Sequence, residues 1–490
     1  MKYLRKFENN AAYESAILDL PNVAYCKEEN EVHYNPYVHD YSEDYLTFVA
    51  LENGTFTFTP KNSNVISYST DNGTTWTEGN SVTVNNGDKV LWKGTMTPQE
   101  YAGIGKFSAT GNFDVQGNVM SLLFGDNYKE QTDLTGKGYA FYRLFYQNTK
   151  VINAENLSLP ATILADNCYY YMFQGCTSLI SAPELPAETL TNYCYYGMFQ
   201  NCTSLTTAPE LPAETLANNC YSYMFGSCTS LVITPELPAE TLTKSCYGGM
   251  FEDCTSLTTV STLAGINIEE ASYKYMFSGC TNLVTLPTTL PIKTLGSKSC
   301  LDMFKNCTSL VNAPALPATT LGNQCYQGMF NSCTSLVTAP ELPATTLTVG
   351  CYTDMFYNCS SLVNAPSLPA TTLKNSCYSG MFNRCTSLVT APDLMAETLV
   401  NRCYEKMFYG CSSLNYIKAM FTTTPGTNYT SSWVSGVSET GTFVKNSAAT
   451  WDVSGVNGIP ESWEVIPPET RVVAKFNVTS TSNATNIMYG

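Results

Sequence analysis

Cysteine is the residue in this chain whose type and spacing most suggest chemistry. Nineteen of the 20 cysteines fall in two columns set by a recurring stretch, CYxxMFxxCTSL, first complete at residues 168–179. The first column runs from Cys168 to Cys403 and has nine members, Ser272 taking the fifth place; the second runs from Cys176 to Cys411 and has ten. Thiolates could bind zinc, and facing thiols could form disulfides. The spacing suits neither. The two cysteines of a unit are usually eight residues apart, about 12 Å of rise on a helix and beyond disulfide reach. No CxxC pair occurs, and the only two histidines, His33 and His39, lie far from the array. No metal or other cofactor is therefore expected. Between neighbouring units, nine cysteines cannot pair without a remainder. The expectation is buried thiols acting as small hydrophobes, with a disulfide-stapled rod as the alternative.

Other candidate groups are weaker. Carboxylates recur at Glu184, Glu210, Glu236 and Glu341, and at Glu188, Glu214, Glu240 and Glu397. Other units carry Ala315, Ser367, Thr319, Thr345 and Thr371 in those places, so a solvated face is a better reading than acid/base pairs. Ser69, Asp71, Gly73 and Trp76 fit S-x-D-x-G-x-x-W, which resembles the Asp-box hairpin of sialidases. A single copy reads as a turn with Trp76 packed beneath it. No nucleotide-binding glycine loop and no Ser-His-Asp set is present, and no enzyme activity is expected. A tyrosine follows every first-column cysteine except Cys300, and Tyr195, Tyr221, Tyr247, Tyr326, Tyr352, Tyr378 and Tyr404 are the candidate binding residues. Helical geometry places them at the edge of the buried face, where aromatic ladders can contact glycans or proteins. Stacking on one another is the favoured alternative.

The elements that carry these columns are repeats. Met-Phe returns ten times between residues 172 and 407, with eight spacings of 26 residues and one of 27. So regular a period marks a solenoid, in which each unit buries its apolar face against its neighbours. In one unit Leu190, Cys194, Met198 and Cys202 are four apart, predicting a short helix, and Leu205, Ala208 and Leu211 predict an extended strand after it. The expected core is Cys194, Met198, Phe199, Cys202, Leu205, Cys220, Phe225 and Cys228. The fold class is thus α+β: a solenoid of ten regular units and a degenerate cap, preceded by a β-sandwich.

The domains follow from the same reading. Residues 1–43 form an αββ attachment module, with a helix over 11–20 and strands at 23–26 and 31–34. Alternating apolar residues and Asn-Gly turns predict a sandwich of immunoglobulin-like size over 44–125, with a further hairpin at 107–124 leading out of it. Residues 126–167 are linker and solenoid cap, with Leu144-Phe145 standing where Met-Phe stands later. The solenoid spans 168–420, a β-rich closing cap 421–466, and a tail or further strand 467–490. The irregular unit at 260–300 is a bend or drift.

The pattern MFxxCxxLxxxxxLP resembles BspA-type leucine-rich repeats, built on an AFxxCxxL core followed by a Leu/Ile-Pro strand. It departs in placing Met before the Phe and in adding the first cysteine. This resemblance implies a cell-surface or adhesive role. The opening stretch, residues 2–37, resembles N-terminal segments of proteins from crAss-like phages of gut Bacteroidetes and of their hosts. That implies a bacteriophage virion protein, a fibre or decoration component, with a bacterial surface adhesin or lipoprotein as the alternative.

Composition bears on partners. A formal charge of −16 with only 25 Lys plus Arg argues against nucleic acid or an anionic membrane as partner. No apolar run reaches the length of a membrane span, and the N-terminus has no secretory-signal pattern. The absent signal and the unenforced cysteines favour the virion reading. The expected partners are other virion proteins through residues 1–43, a host surface protein or glycan through the solenoid, and further copies of the chain in a dimer or trimer.

Overall fold

The computed structural model describes residues 40–468, together with the backbone of three short strands closer to the N-terminus. These are β1 (Leu4–Lys6), β2 (Ala24–Cys26) and β3 (Val32–Tyr34). β2 and β3 pair antiparallel, as the turn between them predicts, and β1 adds in parallel to β2. The expected helix at 11–20 lies outside the described residues, as does the tail beyond residue 468.

Seven of the next eight strands are β4 (Leu46–Ala50), β5 (Gly54–Pro60), β6 (Ile66–Ser69), β8 (Ser81–Val84), β9 (Lys89–Gly94), β10 (Gly105–Ala109) and β11 (Phe113–Asn118). The short β7 (Thr77–Glu78) follows the Asp71 turn. One sheet has the order β10-β5-β8; the other includes β11-β4-β9-β6-β7. Alternation sends Phe48, Phe56, Trp92, Phe107 and Phe113 inward, all at 1% exposure or less. Phe48 lies 4.7 Å from Phe107 and 4.8 Å from Phe113, ring centre to ring centre.

The expected hairpin at 107–124 does not form. β10 pairs with β5 and β11 with β4, so the chain crosses from one sheet to the other at Thr110–Asn112. Both strands carry large apolar residues on one face. Placing them in opposite sheets lets both fill the same core, whereas a protruding hairpin would expose one set. A four-residue helix, α1 (Ser121–Phe124), follows instead of a second hairpin strand.

The sandwich continues directly into the solenoid. β11 pairs in parallel with β12 (Leu157–Ser158) of the first coil, and N–H groups of Phe107, Phe113 and Val115 donate to the carbonyls of Leu144, Lys150 and Asn153. Phe145 stacks between Phe107 (5.7 Å) and Phe173 (5.0 Å). From Phe145 the Met-Phe phenylalanines stack coil on coil to Phe408, at 5.0–5.9 Å with planes within 11°.

The helix expected in each coil is absent. Its place is taken by consecutive four-residue turns. In the second unit, N–H groups of Tyr196, Met198, Gln200 and Cys202 close turns onto the carbonyl three residues back. The alternate N–H groups of Tyr195, Gly197, Phe199 and Asn201 donate to Cys220, Ser222, Met224 and Gly226 of the next coil. Every fourth residue is left-handed: Tyr193 (φ 57°), Gly197 (φ 56°) and Asn201 (φ 61°). Residues four apart fall on one side of such a ribbon as they nearly do on a helix, which is why the spacing suggested one. On a helix each step of four drifts by about 40°; here the fours are strict, and the ribbon follows them without drift.

The rest of each coil is extended and pairs in parallel, as in Asn312, Thr338, Asn364 and Thr390. Three adjacent coils form a small sheet of β13 (Thr241–Leu242), β14 (Asn267–Ile268) and β15 (Thr294–Leu295), so the irregular unit is stitched into the stack. The fold is a solenoid with very little helix. From β16 (Tyr416–Ala419) the stack persists beyond residue 420 as β17 (Thr442–Lys445) and β18 (Glu464–Ile466), all parallel. Trp433, Trp451 and Trp463 close this end, each indole N–H donating to a backbone carbonyl. Among the described residues no helix is long and apolar enough to cross a membrane.

Candidate functional site

All 19 described cysteines are buried and free of disulfides. Cys194, Met198, Phe199, Cys202, Leu205, Cys220, Phe225 and Cys228 are fully buried. The second column does more than fill space. Each of its ten thiols, from Cys176 to Cys411, donates at 2.9–3.2 Å to the carbonyl of a Met-Phe phenylalanine (Phe145 for Cys176) in the preceding coil. Phe173, for example, accepts Sγ–H of Cys202 as well as the N–H of Cys176. Burial pushes the thiols of Cys254 and Cys333 up to about 12, so they remain protonated donors at neutral pH. Where Ser272 replaces a first-column cysteine, its hydroxyl reaches the Thr243 carbonyl at 3.0 Å.

The tyrosine column is also interior, which corrects the expectation of a contact surface. Tyr195, Tyr221, Tyr247, Tyr326, Tyr352, Tyr378 and Tyr404 are each 1% exposed. They stack from Tyr169 to Tyr273 and again from Tyr326 to Tyr404, at 5.5–6.1 Å and within 12° of parallel, interrupted only by Leu301. Turn geometry, unlike a helix, turns this position inward. The hydroxyls of Tyr169, Tyr221, Tyr247 and Tyr326 find no hydrogen-bond partner. These residues are unavailable to a ligand.

What the coils show to solvent is an uncharged lane, and it was missed in the sequence. The residue after each CTSL leucine points outward, and Val311, Val337, Val363 and Val389 are 40–42% exposed in four successive coils. Backbone bonds from Val337 to Val311 and from Val363 to Val337 hold them in register, beside the Asn312–Thr390 ladder. The signal was available as a β-branched residue recurring every 26 residues at Ile180, Thr206, Val232, Thr258 and Val284. Glu188, Glu210, Glu214, Glu236 and Glu240 are exposed, forming the solvated acidic face that their variation predicts. Among the described residues no group of three or more His, Cys, Asp or Glu could hold a metal ion.

The Asp71 turn is as expected in kind. Asp71 accepts from the Thr75 N–H (2.9 Å) and hydroxyl (2.7 Å) and from the Ser69 hydroxyl (2.7 Å). These bonds hold its carboxyl down at about 2. Trp76 packs 4.9 Å from Tyr45, and Lys93 lies 4.1 Å over its ring.

Comparison with known proteins bears on the repeats. No curated protein matches the chain. The solved structure "Crystal structure of TLR13-ssRNA13 complex" aligns at 13% identity and a TM-score of 0.26, over 65% of this chain; the chain spans about half (51%) of that one. The BspA type leucine rich repeat region matches in six copies at residues 143–235, 167–311, 217–336 and 323–430, together more than half of the sequence. With its stacked coils, phenylalanine ladder and Leu-Pro edges, the chain belongs to the BspA type leucine-rich-repeat family.

Proposed function

We propose that this chain is a non-enzymatic binding protein of a bacteriophage virion, attached through residues 1–43 and displaying the solenoid toward a host surface protein or glycan. The observation that carries the binding role is the outer lane, in which the same uncharged side chains repeat in register while the thiols and the tyrosine column are interior. Solenoids of this kind present extended surfaces to partners, and the family matched is a repeat family rather than an enzyme family. The virion assignment is supported by the 19 unpaired thiols, which suit folding in a reducing cytosol and release by lysis. So short a segment can bury little by itself, so residues 1–43 gain stability by docking on a partner or on further copies of the chain.

The test is proteomics and antibody labelling of purified particles, with adsorption measured after deletion of residues 168–420. The chain is expected in the particles, and the deletion is expected to abolish adsorption. Absence from particles with labelling of the bacterial envelope would replace this reading by a cell-surface adhesin.

A further inference from the structure

The sandwich and the first coil meet in a cleft of about 360 Å³ whose chemistry differs from the rest of the surface. Its floor follows from strand geometry. Lys106 and Ser108 of β10 point away from the core because Phe107 points into it, and Lys106 lies opposite Thr59 of β5. β10 docks along the first coil through the bond from the Phe107 N–H to the Leu144 carbonyl. That contact sets Lys106 beside Tyr146, with its ammonium 5.2 Å from the ring centre, and faces it with Arg143.

Three cations line this cleft: Lys61, Lys106 and Arg143. The chain has 25 Lys plus Arg against 41 Asp plus Glu, yet no carboxylate lines the cleft. Among the described residues none of the three cations is in a salt bridge. The Arg143 guanidinium lies over Tyr146 (4.6 Å) and Tyr142 (5.1 Å), and its Nε is buried without a hydrogen-bond partner. Burial and the nearby positive charge of Arg143 hold the Lys106 ammonium below its ordinary value. An anion placed between the two would offset the repulsion from Arg143.

The rim adds a flat aromatic surface. Tyr101 is 71% exposed, held in the left-handed region (φ 58°) by a loop closed through two bonds between Gln99 and Gly103, and rests 5.0 Å from Tyr139. A non-glycine residue in that conformation is strained and persists where the surroundings fix it. The cleft thus joins an exposed ring face, uncompensated cations and the hydroxyls of Thr59 and Ser108.

We propose that this junction cleft is a binding site for an acidic sugar residue, its carboxylate or sulfate taken by Lys106 and Arg143 and its C–H face laid against Tyr101. The volume suits one or two sugar rings, and one bidentate guanidinium contact would orient the anion. The site lies off the outer lane of the solenoid and stands independently of the virion assignment.

The test is calorimetric titration of the full chain at low and high salt. Its probes are a glucuronate-containing hexasaccharide, a sulfated hexasaccharide, neutral maltohexaose, inorganic sulfate and a thymidine decanucleotide. One of the acidic saccharides should bind at least tenfold more tightly than maltohexaose and weaken with salt, and which of them binds identifies the anion. Arg143→Gln and the exposed Lys61→Gln should each weaken binding, Arg143→Gln at least tenfold, at unchanged Tm; Tyr101→Ala should weaken the saccharide but not inorganic sulfate. Equal binding of neutral and acidic sugars, no saccharide binding, sulfate ion binding as tightly as the sulfated sugar, or preference for the oligonucleotide would each overturn the assignment. Should Arg143→Gln unfold the chain, Lys61→Gln and Tyr101→Ala still decide it.

Discussion

The residue before each Met-Phe pair alternates between large and absent side chains, and this pattern can be tested quantitatively. The positions read Tyr171, Gly197, Tyr223, Gly249, Tyr275 and then Asp302, Gly328, Asp354, Gly380, all with positive φ. Tyr171, Tyr223, Asp302 and Asp354 each lie over the glycine of the next coil. A methyl group added at Gly249 would sit 2.6 Å from Cδ1 of Tyr223 and 3.0 Å from Cζ. The Gly249→Ala variant therefore carries two costs: about 1–2 kcal/mol for a left-handed alanine and about 1–3 kcal/mol for the steric overlap. In a Tyr223→Ala background only the first remains, so the two changes should couple by about 1–3 kcal/mol. A solenoid can open locally, so the assay is hydrogen exchange at the inter-coil amides of Tyr223 and Gly249, bonded to Gly248 and Lys274. Protection should fall by about 30-fold or more in Gly249→Ala, from ~2 kcal/mol upward at 1.4 kcal/mol per tenfold, and far less in the Tyr223→Ala background. Equal losses in both backgrounds would refute the stacking argument.

Two further outcomes follow from buried groups. Burial and the charges of Asp302 and Glu405 raise the Asp354 carboxyl to about 6, against Lys406 and Lys305, which lower it. An acid raised in the folded state holds its proton more tightly there, so stability should fall as pH rises from about 4 to about 6 and level off above, by up to about 3 kcal/mol. Urea denaturation should find Asp354→Asn more stable than the parent at pH 7.5 and nearly equal at pH 4; an unchanged pH profile would exclude the effect. Thiol titration should find the 19 array cysteines unreactive in the native chain and all 20 reactive in guanidinium without reductant; substantially fewer would mean disulfides that the fold does not contain.

Periodicity made the array legible, because a 26-residue repeat of Cys, Phe and Leu has no other economical packing. Strands β4, β5, β6, β8 and β9 were legible from alternation and Asn-Gly turns. The ribbon of turns was not, because spacing by four serves either a helix or a chain of four-residue turns. The discriminating sign was the recurrence of Gly, Asn, Asp and Ser at left-handed positions such as Gly197, Asn201 and Ser227. Mistaking the ribbon for a helix then placed Tyr195 and its column at a surface they do not reach. The junction cleft left no local trace, since Lys61, Tyr101 and Arg143 come from three separated segments that only the docking of β10 brings together.

The direction of the ribbon's hydrogen bonds also sets how the molecule bears load. Half of its amides point along the rod, from each coil to the next. Tension applied between the two ends pulls directly on these bonds, so the rod yields as a stack peeled from one end rather than as a single block. Each detached coil releases 26 residues, about 90 Å of slack, while the remaining stack keeps its fold. A tether built this way lengthens in even steps under drag and can re-form coil by coil when the load is removed.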